Sequence, residues 1–312
     1  MQIMTTERLR FVLPIALFAA ILAVSTASIF IRFAQTDTPS LVIAALRLTF
    51  ASLALAPVAL TRHRMELRSL TRRELLLGLL SGLFLAVHFA TWISSLEYTS
   101  VASSVVFVST GPLWVALLSP FVLKEPLTRP VMIGMSFALL GGVIIGMSDT
   151  CSWNHGLVCP PLDHILHGKM LLGDLLALVG AWMVAGYLMI GRKLRVKMSL
   201  VPYIFLVFGM ASICLLAIVG VARESLFGYG WLTYVWILLL AFVPQLIGHS
   251  IYNWALAYLS AALVAVMTLG EPIGSSILAY FILKETPALL VIAGGVLILL
   301  GIYLATRSSK VT

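Results

Sequence analysis

Charged residues are scarce in this sequence: only 10% of its 312 residues are Asp, Glu, Lys or Arg, against about 25% in soluble domains. Hydrophobic residues make up 61% of the chain. Too few polar side chains remain to coat a water-soluble fold of this length, so lipid must be the outer solvent. The formal net charge of +8 therefore does not indicate a nucleic-acid partner, because basic loops of a membrane protein report its orientation.

Motifs for catalysis and for cofactor binding are also missing from the sequence. There is no HExxH zinc motif, no glycine-rich phosphate loop after a span and no paired nucleophile and base, and the acidic residues lie mostly at loop edges. We therefore expect no enzyme activity, no cofactor, no metal site and no direct use of ATP.

Long apolar runs are what the sequence does contain. A membrane-spanning helix needs about 20 mostly apolar residues, and ten such runs occur, at about 11–33, 40–60, 74–96, 100–123, 129–147, 170–191, 200–222, 231–256, 261–283 and 287–306. The connections between them are mostly short. The sequence predicts an all-α integral membrane protein of ten transmembrane helices without an appended soluble domain.

Basic residues are distributed unequally between the two sides of this topology. With the N-terminus in the cytoplasm, the cytoplasmic side collects Arg8, Arg10, Arg62, Arg64, Arg68, Arg72, Arg73, Lys124, Arg129, Arg192, Lys193, Arg195, Lys197, Arg307 and Lys310. The opposite side keeps only Arg32, Lys169, Arg223 and Lys284. Because Lys and Arg favour cytoplasmic loops, we predict that both termini lie in the cytoplasm. The expected location is a bacterial inner membrane, which the protein crosses several times.

Cysteine is rare, with three residues in the chain. Cys151 and Cys159 fall in the one sizeable external loop, at about 148–169. Two cysteines on the oxidising side of a membrane favour a disulfide that closes a small loop, and two free thiols are the alternative. Cys214 lies in a predicted span, where we expect it to be a packing residue.

The second half of the chain repeats the first at a fixed shift of 160 residues. The segments that begin at Leu96 and Leu256 align without a gap and share Tyr98/Tyr258, Ser100/Ser260, Ala102/Ala262, Pro112/Pro272, Phe121/Phe281, Leu123/Leu283, Lys124/Lys284, Glu125/Glu285, Gly134/Gly294 and Gly141/Gly301. The same shift places Arg32 on Arg192. We predict a five-helix repeat at 1–148, an external loop at 149–169 and a second five-helix repeat at 170–312.

An odd number of spans in each half decides how the halves are inserted. After five spans, the second half enters the membrane from the opposite side, which makes an inverted repeat. The basic residues agree, since the loop of Lys124 falls inside and that of Lys284 outside. Inverted repeats recur in transporters, whose site lies between the halves near the bilayer midplane. The repeat therefore predicts a central cavity and transport of a small solute.

One pattern occurs in both halves: a proline-containing span ends in Leu-Lys-Glu and is followed by a glycine-containing span. This doubled pattern resembles the ten-helix EamA-type carriers of the drug/metabolite transporter superfamily, and Arg47 resembles that family's arginine-bearing second span. Within the superfamily, the sequence looks most like the YddG-type exporters of aromatic amino acids. The resemblance implies export of small metabolites, often amino acids, through a central cavity by alternating access.

A Glu-Pro pair, common in the ninth span of such carriers, is present as Glu271-Pro272, whereas the first half has Gly111-Pro112. Glu271 is a candidate for recognition of a substrate amine or for proton coupling, and a hydrogen-bonded packing carboxyl is the alternative. Pro112 and Pro272 are either hinges or static kinks.

Polar and aromatic side chains form a stripe on each of two further spans. His88 and Trp92, four residues apart, share one helix face. Gln245, His249 and either Tyr252 or Asn253 form a similar stripe, and the repeat shift places Trp92 on Tyr252. We predict that both stripes line the cavity, with hydrogen-bonded core histidines as the alternative.

Three more aromatic residues, Trp114, Trp182 and Tyr187, are candidates for cavity lining. An aromatic cavity with few charges suits an aromatic or amphipathic solute. Arg47 is an intramembrane cation that must be paired or hydrated, so its expected role is a structural ion pair or snorkelling toward one face.

Glycines in spans five and ten are expected to allow close helix packing; they are Gly134, Gly141, Gly142, Gly294, Gly295 and Gly301. The predicted partners are a small-molecule substrate, such as an aromatic or other amino acid, and membrane lipid. A monomer is plausible, and nothing in the sequence decides the oligomeric state. A channel is the remaining alternative to a carrier, although neither a ring of charges nor a carbonyl filter is visible.

Overall fold

The fold is almost entirely helical, as the apolar runs predict. The computed structural model describes residues 6–99, 104, 107–148, 152–153, 157–158, 169–283 and 289–306. The one strand pair in this part of the chain is antiparallel and joins Ser152–Trp153 to Leu157–Val158. Cys151 and Cys159, for which the sequence favours a disulfide, lie outside the described residues, whereas Cys214 has a free thiol and packs against the core.

The helices follow one another in chain order with short connections. They are α1 (Thr6–Ser25), α2 (Ala27–Ala34), α3 (Ser40–Arg62), α4 (Arg64–Arg68), α5 (Arg72–Ser95), α6 (Gly111–Val122), α7 (Arg129–Ser148), α8 (Lys169–Arg195), α9 (Leu200–Ala222), α10 (Trp231–Leu240), a π-helix (Ala241–His249), α11 (Ser250–Ala255), α12 (Ala261–Thr268), α13 (Glu271–Leu283) and α14 (Leu289–Thr306).

Seven helical segments are long and apolar enough to cross a membrane: Phe11–Ala34, Ser40–Arg62, Arg72–Ser95, Leu171–Arg195, Leu200–Ala222, Trp231–Ala255 and Ala261–Ile282. Three shorter apolar helices occur at Gly111–Val122, Arg129–Ile144 and Ile292–Ala305. The 12 residues of the first extend only about 18 Å, less than the hydrocarbon core of about 30 Å. The integral membrane class is therefore confirmed, and the count of ten spans stays a prediction.

Helix boundaries follow from local chemistry. Thr71 starts α5 with a capping box, because its hydroxyl accepts from Glu74 N at 3.2 Å and the Glu74 carboxylate accepts from Thr71 N at 2.9 Å. Ser260 caps α12 by accepting from Leu263 N. Lys124 and Arg223 follow α6 and α9 in the left-handed conformation, with φ of 58° and 57°, which ends each helix.

Several spanning segments are interrupted rather than continuous. The first breaks at Thr26, between α1 and α2. The segment Ala261–Ile282 breaks at Leu269 and Gly270, between α12 and α13. Helix α6 likewise begins after a turn at residues 109–110, which the repeat shift of 160 residues superposes on 269–270. Each break leaves backbone donors and acceptors without helical partners inside a membrane segment, where they must be satisfied by other groups.

Glycines bring α7 and α14 into backbone contact. A Cβ at Gly134 would lie 2.7 Å from Ala305 N, and one at Gly141 would lie 2.9 Å from Ile298 N. Gly134 also faces Gly301, and Gly141 faces Gly294. Because the residue numbers rise along one helix as they fall along the other, the two helices run antiparallel. The expected packing role of these four glycines agrees with this crossing.

The loop between α2 and α3 is fastened to the beginning of α10 by Asp37. Its carboxylate accepts from Thr233 Oγ1 at 2.6 Å and from Gly230 N at 3.2 Å. These hydrogen bonds, that of Thr233 above all, hold the pKa of Asp37 below its ordinary value. A lowered pKa in the folded state means that the contribution to stability is complete above the unfolded pKa of about 3.9 and is lost as the pH falls through the folded pKa.

We expect Asp37→Asn to lower the melting temperature of the purified protein at pH 7, because the uncharged amide accepts more weakly from Gly230 and Thr233. The difference from the wild type should shrink as the pH falls below the unfolded pKa and through the lowered folded pKa, because the wild-type carboxyl then becomes neutral. Thr36→Ala, in the same exposed loop, is the matched control and should show no such pH dependence. An Asp37→Asn difference that is equal at pH 3 and pH 7 would contradict the role of the charge.

Candidate functional site

Arg47 is the most deeply buried cation of the described chain. It lies in the middle of α3 with 1% of its surface exposed. Its Nη2 donates to Gln245 Oε1 at 2.9 Å, and its guanidinium carbon lies 4.2 Å from the centre of the Phe89 ring, a cation–π distance. Arg47 therefore points into the helix bundle, and the expected snorkelling toward one face is wrong.

Gln245 reaches Arg47 from the π-helix. Pro244 lies within this segment and has no N–H to donate to an α-helical carbonyl. The missing hydrogen bond accounts for the locally widened helix. The wider turn changes which side chains face the bundle. Gln245 is fully buried, and its Nε2 has no partner among the described residues.

His88 and Trp92 share a face of α5 as predicted, with the two rings stacked at 5.9 Å. His88 Nδ1 lies 2.9 Å from Gly180 O and must donate, because a carbonyl only accepts. Trp92 is buried, and its indole N–H has no described partner. His88 is thus held by α8 on one side and by an aromatic ring on the other.

The second predicted stripe divides between two neighbourhoods. His249 packs the edge of its ring against Phe89, with centroids 5.5 Å apart, and Tyr252 is buried with no described partner for its hydroxyl. Asn253 instead donates through its side-chain amide to the Tyr187 hydroxyl. The backbone carbonyl of Asn253 accepts from Arg195 Nε at 2.9 Å.

Glu271 is the first residue of α13, with Pro272 directly after it. Proline is favoured at the start of a helix because its missing N–H would have no helical acceptor there, and Pro112 occupies the corresponding position in α6. The sequence places both prolines inside spans, and the structure places them at the beginnings of half-length helices. Whether they act as hinges stays a prediction.

Glu271 lies within electrostatic range of Arg47 and Tyr252. Arg47 interacts in the same way with His88 and His249. We call these residues, together with Gln245, the Arg47 cluster. It collects side chains from α3, α5, the π-helix, α11 and α13. Two halves of the sequence thus meet at one buried group of polar residues.

Trp114 and Trp182 form a separate pair. Their rings are T-shaped at 5.4 Å, and Trp182 is 42% exposed. Trp114 Nε1 donates to Thr110 Oγ1. In the described chain, neither ring contacts a member of the Arg47 cluster, so the structure does not bring all the predicted aromatic residues together.

A polar seam joins α1 to α13 next to Glu271. Ser25 Oγ donates to Glu271 O at 3.1 Å, and Ser275 Oγ donates to Ser25 O at 3.1 Å. Gly274 lies so close to Ser25 that an added Cβ would be 2.7 Å from the Ser25 Cβ. Ser275 thus supplies a donor to a carbonyl at the C-terminus of α1, and the two serines tie α1 to the first turn of α13. Sequence reasoning missed this seam, although the serines and Gly274 stand beside the two breaks.

Arg192 and Glu125 form an ion pair at 2.6 Å. Arg192 also donates to Leu256 O, and Glu125 accepts from Ala261 N at 3.3 Å. The left-handed Lys124 turns the chain so that Glu125 reaches these partners. The Leu-Lys-Glu pattern of the first half therefore ends one helix and links it to α8 and α12, while the second copy lies partly outside the described residues.

An apolar cavity of about 490 Å³ lies between α1, α12, α13 and α14. Leu17, Ile21, Met267 and Ile302 are among the lining residues, together with Gly270, the neighbour of Glu271. None of the predicted transport residues lines it. The central cavity predicted from the sequence stays a prediction.

Comparisons with known proteins give one consistent result. The sequence model of the EamA-like transporter family matches residues 13–147 and again residues 171–307. An uncharacterized transporter of Archaeoglobus fulgidus is 25% identical, with 94% of this chain and 95% of that protein covered. One from Clostridium kluyveri is also 25% identical, over 82% of this chain and 80% of that protein. A protein with a crystal structure shares the fold at 20% identity, with a TM-score of 0.72 over 94% of this chain and 96% of that one.

Proposed function

The chain belongs to the EamA-like transporter family, and from this premise we propose that it exports small metabolites, especially aromatic amino acids, across a bacterial inner membrane by alternating access. Membership of the family, together with homologues named as transporters, indicates a transporter rather than an enzyme. The observation that carries the finer proposal is the Arg47 cluster, because it combines a buried cation, a carboxylate and aromatic rings.

Broken helices support a site at this place. Transporters with discontinuous membrane helices bind substrates where half-helices begin, since the free N–H groups and the helix dipole favour anionic groups there. In this chain α13 begins at Glu271, inside a spanning segment. Helix α6 begins at Gly111, which is the counterpart of Glu271 in the first repeat.

The antiparallel crossing of α7 and α14 supports the two-half arrangement. Gly134 meets Gly301 and Gly141 meets Gly294, and the repeat shift exchanges these two contacts. Such an exchange is what a twofold axis between oppositely inserted halves produces. The double family match over 13–147 and 171–307 supports the same plan of ten spans, and the basic loops support cytoplasmic termini.

Uptake into proteoliposomes tests this function. We expect saturable uptake of Phe and Trp above protein-free liposomes, with weaker uptake of small polar amino acids and none of a nucleotide sugar. A lipophilic cation belongs in the same panel, because the apolar cavity beside α1 favours export of other amphipathic solutes or drugs as the second candidate function. No response to Phe or Trp would remove the aromatic proposal, and conductance far above carrier turnover would favour a channel.

A further inference from the structure

Arg47 forms no ion pair with a described residue. An arginine side chain stays protonated in proteins. Gln245 offers a neutral amide oxygen and Phe89 a ring face, and neither is an anion. Within the described chain the ion pairs are His63 with Glu66 and Arg192 with Glu125, so Glu271 interacts with Arg47 without pairing to it.

Two of the three guanidinium nitrogens also have no hydrogen-bond partner. Nε and Nη1 of Arg47 are buried, and no described acceptor reaches them. An unmade hydrogen bond of a buried charged donor is costly. A species that supplies acceptor oxygens would remove this cost.

Arg195 shows what a structural buried arginine looks like in the same molecule. It is 3% exposed, close to the value for Arg47. Its Nε donates to Asn253 O, and its Nη1 donates to Met198 O. No nitrogen of Arg195 is among the buried atoms without a partner. The incomplete coordination of Arg47 is therefore not a general feature of arginine in this bundle.

Three further polar groups in or beside the Arg47 cluster can donate a hydrogen bond and have no described partner. Gln245 Nε2, the Trp92 indole N–H and the Tyr252 hydroxyl are each buried and lack described partners. Gln245 touches Arg47 directly, Trp92 packs near Phe89 at 6.5 Å between ring centroids, and Tyr252 lies within electrostatic range of Glu271. Each of these three groups can donate a hydrogen bond, although the Tyr252 hydroxyl can also accept one, so together they can serve an acceptor-rich anion.

From these contacts we propose that Arg47 and Gln245 bind the carboxylate group of the transported solute, and that Glu271 receives the solute's ammonium group. This inference rests on the proposed function and names which end of the solute each residue recognises. A carboxylate has two acceptor oxygens that match the planar fork of a guanidinium. Glu271, in its ionised form, has the opposite charge within electrostatic range of Arg47, so the two residues together are complementary to a zwitterion.

Thermal-shift titrations of the purified full chain separate the two ends of the solute. The probes are 3-phenylpropionate, which has the carboxylate alone, phenethylamine, which has the amine alone, and phenylalanine, which has both. We expect Arg47→Gln to weaken the binding of phenylpropionate and phenylalanine by at least about 10-fold, as loss of a charged hydrogen-bonding partner does. Binding of phenethylamine should be unchanged or stronger.

Arg195→Gln is the matched control, because it removes a similarly buried arginine whose Nε and Nη1 donate to backbone carbonyls. It should lower the melting temperature without changing the ratio of the apparent Kd values for the probes. Arg47→Lys is the second variant if Arg47→Gln does not fold. It keeps the charge but loses the fork, and should weaken carboxylate binding more than amine binding.

Two results would overturn the carboxylate site: equal binding of phenylpropionate by the wild type and the Arg47 variant that folds, or no carboxylate-dependent stabilisation of the wild type at all. Flux measurements keep this inference distinct from the proposed function. If the wild type transports Phe but an Arg47 variant keeps its preference for carboxylates, only the role of Arg47 fails. If the wild type transports no member of the amino acid panel, the proposed function fails.

Discussion

Replacing Glu271 with Gln is expected to reduce Phe transport by about 30-fold or more, since loss of a charged partner in a buried site costs about 2 kcal/mol or more. The substitution keeps the shape of the side chain and removes its negative charge. Glu271 stands at the first turn of α13 within range of Arg47, where no other acidic side chain of the described chain lies in the cluster. Its counterpart in the first half is Gly111, so no symmetric carboxylate can replace it.

The pH dependence of transport distinguishes the two roles open to Glu271. If the carboxyl couples proton movement, uptake driven by a pH gradient should be abolished in Glu271→Gln while exchange without a gradient persists. If it recognises the substrate amine, the apparent affinity for Phe should fall and that for 3-phenylpropionate should not. A variant with unchanged pH-driven uptake would exclude the proton-coupling role.

Ser275→Ala is the matched control for this measurement. Ser275 lies four residues after Glu271 on the same helix and donates to Ser25 O. Its loss removes a polar contact between α1 and α13 but no charge. We expect a small decrease in stability and near-normal uptake. Equal losses of transport in both variants would show that the effect of Glu271→Gln comes from the packing of α13.

The second large effect is expected at the crossing of α7 and α14, where Gly141→Ala should destabilise the fold by about 1–3 kcal/mol. The added Cβ would lie 2.9 Å from Ile298 N and would also overlap Gly294 O. Backbone atoms of a packed helix cannot rotate away as a side chain can. The two helices must therefore move apart and lose close contact along the crossing.

The neighbouring Gly142→Ala offers a control on the same helix turn. A Cβ at Gly142 meets no atom within 4 Å, so the methyl group adds helix propensity of about 1 kcal/mol without overlap. We expect Gly142→Ala to melt at or above the temperature of the wild type and Gly141→Ala clearly below it. A melting temperature of Gly141→Ala equal to that of Gly142→Ala would contradict the close crossing.

The apolar segments and the repeat could be found from the sequence. Hydropathy depends only on neighbouring residues, and the repeat only on the order of residues in the chain. The apolar run at 40–60 became α3 (Ser40–Arg62), and the run at 200–222 became α9 (Leu200–Ala222). The run at 261–283 also became helical, but it is broken at Leu269 and Gly270. The sequence shows Gly270-Glu271-Pro272 at this point. To predict a break there, however, one must know which neighbouring groups satisfy the freed backbone groups.

The surroundings of Arg47 could not be predicted from the sequence. A lone intramembrane arginine most often pairs or snorkels, and nothing near it in the sequence argues otherwise. Its hydrogen-bond partner Gln245 is 198 residues away, and Phe89 belongs to a different helix. The sequence feature that could have indicated the site is Pro244. A proline inside a predicted span indicates a local departure from the α-helix.

By itself the sequence determined that this protein is a membrane protein and which segments are apolar enough to span a membrane, because these properties depend on each residue's own transfer energy. It also determined that the two halves are related, because this depends on the order of the residues. Only the tertiary structure decided which polar groups meet. That outcome depends on how each helix is rotated about its axis and on the distances between helices. Contacts such as those of Gly141 and Gly274 with distant segments fix the rotation and the distance. The same packing leaves Arg47 buried with two nitrogens that have no partner among the described residues, which no count of charges in the sequence shows.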